Sequence, residues 1–146
     1  MRPDDINGVE TEPASTELSK RAARRLIQRA FVLTGRERQI RQHIRETHVA
    51  MQWVLEDEGL EWTVLLDRGK MIFDRRPVKK PDVILKWAEA RAFFESARTG
   101  RDEPDAFTIE GSPELRRVAE LVWRGFRAAL GNVLSFPYDE DGVRLA

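Results

Sequence analysis

The chain has 146 residues, enough for one ordinary domain with a single hydrophobic core, and its 25 basic and 25 acidic residues give a net charge of zero. A neutral chain has no global field that would attract nucleic acid or an anionic membrane. It contains no cysteine, which excludes disulfides, thiolate metal sites and cysteine nucleophiles.

Neither a signal peptide nor a membrane span is evident in the sequence. The amino terminus is acidic and polar, whereas a secretory signal needs basic residues followed by an apolar run. No stretch approaches the roughly 18 consecutive apolar residues of a spanning helix. We therefore expect a soluble, cytoplasmic protein.

The neutral total conceals a segregation of charge. Residues 1–19 have a net charge of −4, and residues 20–45 carry nine basic residues against one acidic residue, a net of +8. The remaining residues return −4. A basic stretch of this density indicates either a docking surface or a solvated helix face.

Two helices are predicted at the amino-terminal end. Residues 1–14 are polar and aperiodic and are expected to form a flexible leader. Apolar residues then recur at helical spacing, with Ser15 or Thr16 as N-cap and Gly35 as the stop. A second, short helix is expected over residues 37–46.

Four strands follow. Alternating apolar residues cover 49–55, 60–66 and 71–74, and the links "EDEG" and "DRGK" are too short for crossovers, so these runs predict an antiparallel meander. Residues 82–87 predict a fourth strand.

The last third predicts a helix, one isolated strand and a long helix. Residues 88–100 contain good helix formers and end at Gly100, a natural C-cap. Phe107 and Ile109 mark a fifth strand. Ser112 is then a natural N-cap for the closing helix, with proline as its first residue.

This order, α-α-β-β-β-β-α-β-α, predicts an α+β fold in which helices cover one face of a five-stranded, mostly antiparallel sheet. We expect a single domain over residues 15–134, made of basic N-terminal helices (15–46) and the sheet with its covering helices (47–134). Residues 135–146 are expected to form a tail.

A search for catalytic or metal chemistry finds no matching motif. His43, Glu46 and His48 lie close in sequence, but histidines five apart do not share a helix face as zinc-binding pairs do, so surface histidines are the better interpretation. Ser112 lacks the second glycine of a nucleophile elbow, and capping explains it better. The acidic runs 56–58 and 139–141 match no calcium loop and are interpreted as solvated turns. The sequence therefore predicts no catalytic residue, no metal and no cofactor.

The basic stretch leaves three interpretations open. Arginines on the polar face of the first helix, namely Arg21, Arg24, Arg25 and Arg29, could dock on an anionic membrane surface or a partner. A solvated face paired with the acidic rest of the chain is the alternative. Nucleic-acid binding through residues 20–45 is the weakest interpretation, because Phe31 is the single aromatic residue there.

The closing helix is apolar over more of its circumference than one packing face requires. An apolar cavity or a partner interface would use this surplus. The alternatives are therefore a binding domain for an apolar ligand and a module for protein interaction or self-association. The sequence does not give the oligomeric state.

From about residue 49 to residue 130 the chain resembles the sterol carrier protein type 2 family of lipid-binding domains. The resemblance rests on "EWTVLLDRGKMIF", "PDVILKW", the helix-ending Gly100, "EPDAF" and "IEGSPEL". The interval from Gly100 to Gly111 is shorter than is usual in the family, which carries a further helical turn and a Gly-Lys pair there.

The resemblance implies a non-enzymatic protein that binds or transfers a lipid, such as a sterol or fatty acyl chain, in an apolar tunnel between sheet and helices. Each methylene removed from water would contribute about 0.8 kcal/mol. Seven residues are candidates for the lining because of their predicted facing, and no family motif assigns them: Met51, Trp53, Trp62, Phe93, Phe94, Trp123 and Phe126.

Overall fold

A computed structural model describes residues 19–139 and 141–145 of the chain. Its elements are α1 (Lys20–Arg36), α2 (Arg38–His43), β1 (His48–Leu55), β2 (Leu60–Asp67), β3 (Lys70–Asp74), β4 (Val83–Trp87), α3 (Ala90–Thr99), β5 (Phe107–Glu110) and α4 (Pro113–Ser135). The predicted order of helices and strands is confirmed. The predicted leader, residues 1–14, lies outside the described residues.

The ends of the helices follow their capping chemistry. Ser19 caps α1, since its side chain accepts a hydrogen bond from the Ala22 N–H, and the helix continues past Gly35. The cap is therefore not one of the two predicted residues, Ser15 and Thr16, which lie outside the described residues. At α4 the prediction is confirmed, because the Ser112 hydroxyl accepts from the Leu115 N–H at 3.2 Å.

The sheet is mixed, with strand order β3-β2-β1-β4-β5. The meander β1-β2-β3 is antiparallel as predicted, and β5 pairs antiparallel with β4. The pair between β1 and β4 is parallel, because the chain crosses from the β3 edge to the far side of β1 before β4 begins. Thr63 donates its hydroxyl to the Arg76 carbonyl at 2.6 Å and so holds the start of this crossing connection.

Helices cover one face of the sheet. On β1 the side chains of Met51, Trp53 and Leu55 are buried beneath them, while Ala50 and Gln52 on the opposite face remain half-buried. This alternation is the period-two pattern that identified the strand in the sequence.

A row of aromatic rings crosses the covered face. Trp62, Trp53, Trp87 and Phe107 come from four different strands, and their ring centroids lie 6.0, 5.7 and 4.8 Å apart in that order. All three pairs are stacked. This row forms the floor on which the helices pack.

Helix α4 lies between α1 and α3, and this position accounts for its wide apolar surface. Its inner face contacts the sheet, and its two flanks contact α1 and α3. Among the described residues the large exposed apolar side chains are Val32, Ile72, Phe136 and Val143, all outside α4. The apolar surplus of α4 that the sequence indicates is therefore partly buried, since Leu115, Val118 and Leu121 pack against the core without being fully covered.

The residues after α4 fold back against α1. Tyr138 and Arg144 form an isolated antiparallel bridge, and Leu145 is buried in the core. The Arg25 guanidinium donates to the Arg144 carbonyl at 3.2 Å. This part of the expected tail is therefore packed on the domain.

Two glycines of α4 mark its close approaches to neighbouring helices, and they provide a test of the helical layer. A Cβ at Gly131 would overlap the Ala97 carbonyl oxygen of α3, whereas one at Gly125 would lie 2.8 Å from the Cδ1 tip of Ile40. We expect Gly131→Ala to lower the free energy of unfolding by about 1–3 kcal/mol because backbone must move. Gly125→Ala is the control, expected within about 1 kcal/mol of wild type because the tip of a side chain can rotate and alanine favours the helix. Urea unfolding measures both, and equal stability of the two variants would contradict the packing.

Candidate functional site

A basic groove opens at the β3 edge of the domain, between α1, α2 and the β2-β3 hairpin. Its volume is about 930 Å³. The residues lining it are Phe31, Val32, Gly35, Arg36, Arg38, Arg41, Gln42, Arg45, Arg68, Gly69, Lys70, Met71 and Ile72. Two stretches that are distant in sequence, 31–45 and 68–72, therefore form one concave surface, called the basic groove below.

Backbone hydrogen bonds fix the walls of the groove to one another. In the turn of the hairpin, the Arg68 N–H donates to the Thr47 carbonyl at 3.0 Å, and the Gly69 N–H donates to the Ile44 carbonyl at 3.1 Å. Both acceptors lie in the link from α2 to β1. Two main-chain hydrogen bonds thus hold the hairpin to the link after α2.

In the turn, Arg68, which lines the groove, adopts an unfavourable backbone conformation. Asp67 pairs with Lys70, so the turn has two central residues, Arg68 and Gly69, and their φ angles are +51° and +89°. Two positive φ values suit the twist of a hairpin, but asparagine and glycine usually supply them. A side chain such as arginine meets a steric penalty there.

The floor of the basic groove is apolar. Phe31 is buried, and its ring lies 5.0 Å from that of Trp53 and 4.1 Å from that of Phe126, so the floor is continuous with the core. Val32 and Ile72 are 40% and 44% exposed, and they are two of the four large exposed apolar side chains among the described residues. An apolar chain lying on this floor would remove them from water.

The rim is cationic. Six of the lining residues are arginine or lysine, and none is aspartate or glutamate. Guanidinium groups bind carboxylates and phosphates through paired hydrogen bonds. An apolar floor under a cationic rim can hold a molecule with an apolar chain and an anionic head.

The predicted lining residues lie elsewhere, in the core between sheet and helices. Six of the seven are buried, and Phe94 is partly buried. Trp53 and Phe126 lie 5.1 Å apart, Trp62 and Phe93 5.9 Å, and Phe93 and Trp123 5.5 Å. These rings contact one another, and none of the seven lines the basic groove.

Four buried polar groups in this core have no hydrogen-bond partner among the described residues. They are the indole N–H groups of Trp53, Trp62 and Trp87 and the hydroxyl of Ser96. Trp123 differs, because its indole N–H donates to the Asp102 carboxylate at 3.0 Å. Burying a polar group without a hydrogen-bond partner costs free energy. These four are the unsatisfied polar side-chain groups in the interior of the described residues.

Asp102 ties the short loop 101–106 to α4. Besides the Trp123 bond, its carboxylate accepts from the Arg127 guanidinium at 2.9 Å. On the same loop, Glu103 pairs with Arg91 of α3 at 3.4 Å. The loop 101–106 is therefore fastened to both α3 and α4.

The four arginines predicted to dock lie on α1 outside the groove. Arg21 and Arg25 are exposed, and Arg24 and Arg29 are half-buried. The cations of the groove come instead from the later part of the basic stretch and from the hairpin turn. Sequence reasoning missed Arg68 and Lys70 as site residues because it interpreted "DRGK" as a turn alone.

Two other sequence features have structural roles. Asp57, in the acidic run 56–58, accepts from the Ala90 N–H at 2.9 Å and so caps α3 from the end of the neighbouring strand β1. His43 and His48 contact the Gln39 carbonyl and the Asp67 carboxylate respectively.

Within 19–139 and 141–145, no group of three or more His, Asp or Glu side chains is arranged to hold a metal. No helix in the same ranges is long and apolar enough to cross a bilayer.

Comparison with known proteins identifies the fold. No family model matches the chain, and no curated protein matches it in sequence. The solution structure of TT1886 from Thermus thermophilus, a conserved hypothetical protein described as a possible sterol carrier protein, matches with a TM-score of 0.53. That match has 11% identity and covers 74% of this chain and 85% of the other, so it establishes a common fold.

Two further solved structures are similar over part of the chain. A ubiquinone synthesis protein, UbiJ-SCP2, has a TM-score of 0.44 and 10% identity, with 72% of this chain and 85% of that one covered. The inverting sec-alkylsulfatase Pisa1 from Pseudomonas sp. has a TM-score of 0.45 and 16% identity over 57% of this chain. The match spans 13% of the length of the sulfatase.

The role of Asp102 can be tested by removing its carboxylate. Asp102→Ala leaves the buried Trp123 N–H and the largely buried Arg127 guanidinium without their acceptor. We expect the free energy of unfolding to fall by about 2 kcal/mol. Glu103→Ala on the same loop removes an exposed pair and should cost less than about 1 kcal/mol. Chemical denaturation of both variants makes the comparison, and an Asp102 variant no less stable than the Glu103 variant would refute this role.

Substitutions at Arg68 distinguish the effect of this residue on stability from its effect on anion binding. Arg68→Asn supplies a residue that tolerates positive φ, so the free energy of unfolding should rise by up to about 1 kcal/mol while the groove loses one cation. Affinity for dodecanoate, measured by calorimetry, should fall. Arg68→Lys keeps both the charge and the strained conformation, so stability should be unchanged, and affinity should fall less than in the asparagine variant because only the paired hydrogen bonds of the guanidinium are lost. Loss of stability in the asparagine variant would show that the arginine side chain supports the turn.

Proposed function

We propose that this protein is a non-enzymatic binding or carrier domain for a lipid-like amphipath, and that the basic groove is its binding site. The apolar chain lies on Phe31, Val32, Met71 and Ile72, and the anionic head is held by the arginines of the rim. The observation that carries the proposal is the pairing of exposed apolar side chains with an acid-free cationic rim in one groove of about 930 Å³.

The fold supports an apolar ligand in general terms, since TT1886, described as a possible sterol carrier protein, shares it. The groove makes the ligand more specific. A neutral sterol would use the floor and leave the cations without a role, whereas a fatty acyl anion uses both. Burial of the ligand's apolar chain supplies the affinity, and the cationic rim orients its head group.

The interior between sheet and helices is a second candidate site. The seven core residues named from the sequence surround it, and the unpartnered indole N–H groups of Trp53, Trp62 and Trp87 favour a ligand that carries hydrogen-bond acceptors. Entry would require the rings to move apart, because they contact one another. The groove needs no such rearrangement and is preferred for that reason.

The other two interpretations have less support. Nucleic acid would need exposed rings for stacking, and the aromatic side chain of the groove, Phe31, is buried. A partner protein or second copy would need a broad apolar patch, and the described residues of α4 expose no large apolar side chain. Contact of Arg21, Arg24, Arg25 and Arg29 with an anionic membrane would be transient and compatible with ligand delivery.

Calorimetric titration with fatty acids below their micelle concentrations tests the proposed function. Dodecanoate should bind the wild-type protein, and affinity should increase along the series from octanoate to tetradecanoate, by at most about 0.8 kcal/mol per methylene. Arg41→Gln combined with Arg45→Gln should weaken binding about tenfold, from the loss of two partly screened charge contacts.

The matched control removes two arginines from α4, Arg116 and Arg117, which are exposed and lie outside the groove. This variant should bind as the wild type does. Binding that is equal in all three proteins would move the site to the interior. No binding of any fatty acid, together with no lipid in an organic extract of the purified protein, would reject the carrier function itself.

A further inference from the structure

Resting on the proposed function, we propose that the basic groove selects amphipaths whose head carries two negative charges, namely a phosphate monoester on a single apolar chain. The charge of the groove is unbalanced. Its rim carries six cationic side chains and no acidic one. One carboxylate on a ligand would compensate a single charge.

Five of the six cations of the rim lack a close carboxylate partner of the kind that three arginines elsewhere on this protein have. Arg76, Arg91 and Arg127 each pair with a carboxylate, at 3.1, 3.3 and 2.9 Å. In the groove, Arg68 reaches Asp67 only at 4.0 Å. The side chains of Arg38, Arg41, Arg45 and Lys70 form no hydrogen bond or ion pair with any residue in 19–139 or 141–145. Positive charge from these five residues is thus concentrated where the described chain provides little to neutralise it.

The cations stand on two sides of the groove. Arg38, Arg41 and Arg45 come from α2 and the link after it, while Arg68 and Lys70 come from the hairpin. A carboxylate has two oxygens in one plane, whereas a phosphate monoester presents three oxygens in a tetrahedral arrangement and carries close to two charges at neutral pH. A phosphate can therefore accept hydrogen bonds from both sides at once.

The floor requires that the phosphate be attached to an apolar chain. Val32 and Ile72 are exposed at the groove, and inorganic phosphate would leave them in water. An alkyl phosphate covers them and neutralises the rim in the same complex. The chemical class is therefore a phosphorylated single-chain lipid.

Decyl phosphate and decyl sulfate provide the decisive comparison, because the two heads have the same shape and differ in their second charge. At pH 8 we expect decyl phosphate to bind about tenfold more tightly than decyl sulfate or decanoate, with decanol weakest. Inorganic phosphate alone should bind far more weakly than decyl phosphate. The preference should disappear in the variant combining Arg41→Gln and Arg45→Gln, and should persist in the one combining Arg116→Gln and Arg117→Gln.

The pH dependence gives an independent readout. The second ionisation of a phosphate monoester lies near pH 6, so affinity for decyl phosphate should fall several-fold between about pH 8 and pH 5 as the head loses its second charge. Affinity for decyl sulfate should stay flat, which controls for titration of the protein. The titratable groups beside the groove are His43, His48, Glu37, Glu46 and Asp67, and none of these lines it.

Each outcome is distinct from a failure of the proposed function. Equal affinities for phosphate, sulfate and carboxylate heads would overturn the inference and leave a general site for anionic amphipaths. Tight binding of inorganic phosphate alone would assign the rim to a free anion and overturn the lipid class. Displacement of decyl phosphate by a single-stranded oligonucleotide at equal charge concentration would assign the groove to nucleic acid and overturn the inference as well.

Discussion

The packing of Trp53 is the contact on which the rest of the domain depends. Its ring lies on the central strand, 5.0 to 6.0 Å from the rings of five other aromatic residues: Phe31, Trp62, Trp87, Trp123 and Phe126. These partners come from α1, β2, β4 and α4. Aromatic pairs contribute about 0.5–1.5 kcal/mol each beyond the area that they bury. One side chain thus joins the sheet to two of its covering helices.

This packing explains the division between the interior and the surface of the protein. Aromatic rings contact one another between sheet and helices, and the basic groove lies at the margin, where α1, α2 and the hairpin meet at the β3 edge. Phe31 connects the two regions, because it belongs to the core cluster and also to the floor of the basic groove. A ligand in the groove would rest on the same aromatic cluster that stabilises the fold.

Local sequence signals predicted most of the helices and strands. Alternating apolar residues in β1 and β2, the capping serine and proline of α4, and Gly100 at the end of α3 are local signals, and each is confirmed at its predicted place. The N-cap of α1 was misplaced because Ser15, Thr16 and Ser19 all precede the apolar pattern, and the pattern alone does not decide among them.

The parallel pairing of β1 with β4 and the basic groove required the tertiary structure. Strand pairing beyond a hairpin depends on the path of a long connection, which residue types do not encode. The groove brings together arginines near residue 40 and a turn near residue 69, and their proximity arises from backbone hydrogen bonds between the turn and the link after α2. The sequence by itself determined which segments are helix or strand, which residues are apolar and where positive charge is dense. Only the folded chain decided which of those charges meet on one surface, because their proximity depends on contacts between segments distant in sequence.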